Sequence, residues 1–264
     1  MISSGVASVE YQIDNGAWVA VPGATAYPPI SAADGVRTLR YRARDVAGNL
    51  SPVAGPFTFN IDRGLPTVAE PAFSGTPGLG GWYVTTGTVT LQAQDPVPGS
   101  GLSLLQYRLD GASWLGGTPP LGVELTAQGE HTLEAQAMDG AGNASPVITR
   151  TYRIDAAPPQ LTITRSAPPN AYGWYSASMS ISLAASDVVT GVASSGVDRI
   201  EYRPVGGSWQ TVSAPIQFPN ANQGKFSYEA RARDRAGNIS ATQTFTVWMD
   251  HTPPEDPVAP VTIS

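Results

Sequence analysis

Apolar and polar residues alternate with a period of two along most of this chain, and the alternating stretches return in the same order three times. Leu39, Tyr41 and Ala43 share one face, and Arg40, Arg42 and Arg44 share the other. The matching stretches present Leu133, Ala135 and Ala137, and then Phe226, Tyr228, Ala230 and Ala232, opposed in the last case by Glu229, Arg231 and Arg233. Period two marks a half-buried strand, so the apolar faces are expected in a core and the charged faces in water. A second strand sets Val9, Tyr11 and Ile13 against Glu10, Gln12 and Asp14, repeated as Leu105, Tyr107 and Leu109 against Gln106, Arg108 and Asp110. It runs into Asp14-Asn15-Gly16 or Asp110-Gly111, the residue types that accept the positive φ of a tight hairpin turn. If the two strands pair, Glu10 and Arg42 become cross-strand neighbours, a contact worth ~0.2–1 kcal/mol.

Thr67-Val68 and Leu161-Thr162-Ile163 open the later repeats, followed by Val89, Leu91 and Ala93 or Ile181, Leu183 and Ala185. Phe57 to Ile61, Val147 to Ile154 and Thr242 to Met249 close them. About seven short strands per repeat with no helical period is the pattern of an all-β, Greek-key β-sandwich.

Fixed landmarks confirm the repetition. Asp-x-Ala-Gly-Asn occurs at 45–49, 139–143 and 234–238, so the copies start 139−45 = 94 and 234−139 = 95 residues apart. Ser4-Gly5-Val6, Ser100-Gly101-Leu102 and Ser195-Gly196-Val197 keep the same rhythm, followed by Tyr11, Tyr107, Tyr202 and Trp18, Trp114, Trp209. A repeat this long encloses its own core, unlike the short units of a solenoid. Links such as Asp62-Arg63-Gly64-Leu65-Pro66 and Asp155-Ala156-Ala157-Pro158-Pro159 are stiffened by proline, which predicts a rod. The expected division is 1–64, an incomplete repeat without its first strands; 65–157; 158–252; and 253–264, a linker and the start of a further repeat. Pro260 to Ser264 resembles Pro159 to Thr164, so a strand given by one molecule to the open edge of another is a further expectation.

Composition narrows the function. Charged residues are 14% of the chain, the net charge is −6, and no block of Lys or Arg is present, which argues against nucleic acid or an anionic lipid surface. The absence of cysteine removes disulfides, thiolate metal sites and Cys nucleophiles together. No stretch approaches the ~20 apolar residues of a membrane span. A Lys-poor, Ser/Thr/Gly-rich tandem array points to a bacterial extracellular or cell-surface location.

Gly-Trp-Tyr at 81–83 and 173–175, a strand ending in Asp95 or Asp187, Ser-Gly-aliphatic, Tyr-Arg, Trp, Asp-x-Ala-Gly-Asn and Ile-Asp together resemble the tandem bacterial immunoglobulin-like repeat domains of cell-surface and secreted proteins. The resemblance implies Ig-like sandwiches serving as stalks, spacers, adhesive units or carbohydrate-contacting accessories. It spans nearly the whole chain and specifies fold more than function.

The candidate residues each have a plainer reading. Asp45, Asn49, Asp139, Asn143, Asp234 and Asn238 offer hard oxygens that could take calcium as a cofactor. Calcium takes about 6–8 oxygens, so a turn in which Asp accepts backbone hydrogen bonds is preferred. Asp62, Asp155 and Asp250 would add ligands at junctions. Trp82, Tyr83, Trp174 and Tyr175, placed in a connection near a repeat's end, are candidates for stacking on glycans, although packing is preferred. Trp18, Trp114 and Trp209 are assigned to the core or its edge. His131 is read as a solvated residue ahead of a strand, and neither it nor His251 sits in a catalytic pattern. Nothing singles out Asp95 and Glu124 as an acid–base pair. The expected function is a non-catalytic stalk or spacer of a larger bacterial protein, whose partners are its other domains and, on the alternative reading, glycans or surface proteins.

Overall fold

The computed structural model describes residues 4–22, 30–189 and 191–255, and all regular structure among them is strand and turn. The tail from 256 onward, including the strand expected at 260–264, lies outside the described residues. Two compact units form, one from Met1–Phe73, Val89–Val123 and Thr132–Arg150, the other from Ser74–Thr88, Glu124–His131 and Thr151–Ser264.

In the first unit, Val19–Pro22, Val6–Ile13, Gly35–Asp45 and Ala54–Ile61 make a four-stranded sheet in that order. The predicted pairing holds, with Glu10 opposite Arg42 and Tyr11 opposite Tyr41. The hairpin turn is held by Asp14, at φ 50, whose Oδ1 accepts the Thr38 amide at 2.9 Å. The inner face of this sheet stays half open: Tyr41 and Phe57 stack at 5.7 Å with 44% and 50% of their surfaces exposed. Elsewhere in the unit Val89, Leu91, Leu105, Leu133, Ala135 and Ala137 are buried, as their alternation requires.

In the second unit, Gln160–Arg165, Met179–Ser186 and Ile216–Phe218 form one sheet. Trp174–Tyr175, Gln243–Met249, Gly224–Asp234, Val197–Pro204 and Gln210–Thr211 form the other. Between them pack Ile181, Phe218, Ala230, Ala232, Val247 and Met249. This is the expected sandwich, held by non-directional burial of about 25 cal/mol per Å² of apolar surface.

The charged faces depart from the expectation that they meet water. Glu10, 6% exposed, accepts hydrogen bonds from Arg42 Nε at 2.6 Å and Arg44 Nε at 2.8 Å. Glu201 does the same with Arg231 and Arg199 at 2.7 and 2.8 Å. The tryptophans assigned to the core or its edge are half-buried against this outer face: Arg42 stacks over Trp18 at 4.1 Å, Arg108 over Trp114 at 4.9 Å, and Arg203 and Arg231 over Trp209 at 4.4 and 4.1 Å. A planar guanidinium desolvates an indole without drawing it into the core. His131 is a second correction. It lies within the strand Gly129–Asp139, buried, with Nε2 3.2 Å from the Ala127 carbonyl, because it holds an inward position in phase with Leu133 and Ala135.

Candidate functional site

Asp-x-Ala-Gly-Asn closes the same turn each time. In the third copy Asp234 Oδ1 accepts the Gly237 and Asn238 amides at 2.7 and 2.8 Å, and Asn238 Nδ2 donates to Asp234 Oδ2 at 2.8 Å. The second copy repeats this with Asp139 and Asn143 at 2.8 and 2.8 Å, and the first with Asp45 and Asn49 at 2.7 and 2.9 Å. Gly48, Gly142 and Gly237 supply the positive φ of 91, 92 and 107 that a side chain would resist. The asparagine amide is thereby a donor locked to its own aspartate.

The aspartate of the preceding link completes the arrangement. Asp155 is wholly buried; its Oδ2 accepts the Ser195 amide at 2.8 Å, and its carbonyl accepts Asn238 Nδ2 at 2.8 Å. In the first unit Asp62 Oδ2 accepts the Ser100 amide at 2.6 Å and its carbonyl takes Asn143 Nδ2 at 3.2 Å. The Ser-Gly landmark thus serves as a pair of amides for carboxylates: Gly101 and Gly196 donate to Asp95 and Asp187 at 2.8 and 2.7 Å. The second joint has one more contact, in which the Leu79 amide donates to the Ala236 carbonyl at 2.7 Å.

Three carboxylates therefore converge twice. Oxygens of Asp62, Asp95 and Asp139 lie within 4.8 Å of one another, and so do those of Asp155, Asp187 and Asp234. Among the described residues no Lys or Arg forms an ion pair with any of the six. Burial pushes the Asp187 carboxyl above its ordinary range and the charge of Asp155 pushes it further; the Gly196 amide opposes this, and the Asp234 charge adds to the rise. Asp62 is held below its ordinary value by the Ser100 hydroxyl and then the Ser100 amide. Asp95 Oδ1 is shut away from solvent without a hydrogen-bond partner. The donor set suits calcium, whose oxygens sit at about 2.3–2.6 Å and hence within about 5 Å of each other. Asp139 and Asp234 belong to these triads; Asp45 has no such companions among the described residues. The link aspartates Asp62 and Asp155 are those named from the sequence as added ligands, and the strand-end aspartates Asp95 and Asp187 are the members that neither the turn motif nor the links reveal.

The aromatic candidates take another course. Trp82–Tyr83 and Trp174–Tyr175 are short strands, not connections, and each runs parallel to a closing strand, Trp82 beside Arg153 and Trp174 beside Trp248. Tyr83 packs on Tyr152 at 6.4 Å, and Tyr175 is 6% exposed with its hydroxyl buried and unpartnered. Trp174 lies 5.1 Å from Trp248 and walls a surface groove with Pro168, Asn170 and Ser178.

Residues 205–251 match the family model of the bacterial Ig-like domain, the family the landmarks resemble. No curated protein matches the chain. Among solved structures, a tetra-tandem repeat from the extending region of a large adhesion protein is 19% identical over 95% of this chain and 68% of that one, with a TM-score of 0.33. The fibronectin(III)-like modules of Clostridium thermocellum CbhA are 16% identical over 73% of this chain and 100% of theirs, at 0.33. A 1.5-MDa bacterial ice-binding adhesin is 14% identical over 93% and 87%, at 0.32.

Proposed function

We propose that this chain is a non-catalytic spacer segment of a larger bacterial surface or secreted protein, in which repeats bounded near residues 64 and 157 hold its other domains apart. One observation carries the reading: the same joint is built twice, from a link aspartate, a Ser-Gly amide pair and the asparagine of the next turn. Such a joint takes slack out of a link that proline already stiffens. Repetition of a joint, rather than of a cleft with reactive groups, favours mechanics over chemistry. Stretching single molecules of the full chain tests it. Separate unfolding events for the second and third repeats support the spacer; one event for the whole chain contradicts it.

A second reading has its own support in the buried, unpartnered Asp95 Oδ1 and the convergence of three carboxylates at each joint. Calcium held by Asp62, Asp95 and Asp139, and by Asp155, Asp187 and Asp234, would replace mutual repulsion with attraction. Saturation at a hundred times Kd adds about 2.7 kcal/mol. The melting temperature then rises with calcium over chelator, and Asp95→Asn with Asp187→Asn removes the rise; equal melting temperatures with and without calcium count against it.

A further inference from the structure

The second and third repeats differ in one loop. Gly78 and Asn170 hold the same place, each amide donating to the carbonyl of the following tryptophan, Trp82 at 2.8 Å and Trp174 at 2.9 Å. In the second repeat a Cβ at Gly78 would meet the Ala236 carbonyl at 2.4 Å, so this loop is a seat for the next turn. Asn170 has side-chain atoms where that carbonyl sits, so the third repeat's loop is not built for the same seat. Its Oδ1 instead accepts the Tyr172 and Trp174 amides at 3.0 and 2.9 Å; Asn170 itself is exposed, and Tyr172 in the same loop is 88% exposed.

Beside this loop lie two depressions that share Ser178 and Met179 in their linings and so read as one groove. Trp174 is its aromatic wall, and its polar lining comes from Ser166, Asn170, Ser178, Ser180 and Gln217. The buried Met179 and Phe218 form an apolar floor. An aromatic wall with several neutral donors and acceptors and no charge matches a sugar ring, which offers an apolar C–H face and a hydroxyl edge. The chain's net charge of −6 disfavours an anionic polymer.

We propose that this groove of the third repeat binds a neutral polysaccharide, with Trp174 stacking on a ring and Asn170, Ser178 and Gln217 bonding its hydroxyls. The site is a function additional to the spacer and does not rest on it. The test is affinity electrophoresis of the full chain through gels holding β-glucan, xylan, mannan or, as the anionic comparison, alginate. Retention by a neutral polymer is expected, reduced about tenfold or more in Trp174→Ala and Gln217→Arg and kept in Trp82→Ala. Gln217→Arg fills the groove from an exposed position, so its loss of binding does not depend on the packing of Trp174. Absence of retention on every neutral polymer, retention by alginate alone, or retention that survives Gln217→Arg overturns the proposal.

Discussion

The side-chain amide of Asn238 donates to the main-chain carbonyl of Asp155 at 2.8 Å, tying the third repeat's turn to the link 83 residues earlier in the chain. The same amide donates to Asp234 at 2.8 Å, so one residue shapes the turn and holds the link. Asn238→Ala leaves two part-buried acceptors without their donor, at a cost of about 1–3 kcal/mol. Thermal unfolding followed by calorimetry should show the third repeat melting earlier while the second keeps its transition.

Gly78 is confined by its neighbours more than by its backbone. A methyl there would sit 2.4 Å from the Ala236 carbonyl and 2.8 Å from Val84 Cγ1. Gly78→Ala therefore displaces the loop from Ala236, and overpacking of this kind costs about 1–3 kcal/mol. Loss of protection at the Leu79 amide in hydrogen exchange is the expected sign.

Glu201 gives the fold a pH dependence. Burial works to raise its pKa, but the bonds from Arg199 and Arg231 outweigh burial and hold it below the ordinary 4.5. A depressed folded-state pKa means stability that is present above 4.5 and lost as pH falls through the folded value. Glu201→Gln should thus melt earlier than the parent at pH 7, and the gap should narrow on acidification below pH 4.5; a gap that widens in acid would refute the assignment.

Much of this fold is legible in the sequence because period-two alternation maps directly onto faces of strands. Leu133, Ala135 and Ala137 are buried as read, and Glu10 stands opposite Arg42 as read. The same alternation places His131 inward, although as a polar residue it invites the opposite assignment. Trp18, Trp114 and Trp209 are less legible, since a place just after a hairpin turn fits either the core or its edge, and only the arginines on the adjoining strands reveal a stacked outer face. The joint was half legible. Asp-x-Ala-Gly-Asn and Ser-Gly stand out as repeated strings, but a string does not show that Asp62, Asp95 and Asp139, up to 77 residues apart (139−62 = 77), converge. That convergence depends on strand pairing, which brings the end of one strand, a turn and a link to one point.

Hydrogen exchange at the Ser195 amide, the group that Asp155 Oδ2 accepts at 2.8 Å, tests the joint most directly. Protection comparable to that of core amides such as Ala232, lost in Asp155→Ala while Ala232 keeps its own, is the predicted result. Exchange at Ser195 as fast as in an unstructured link, in the parent chain, would contradict a built joint and the spacer reading with it.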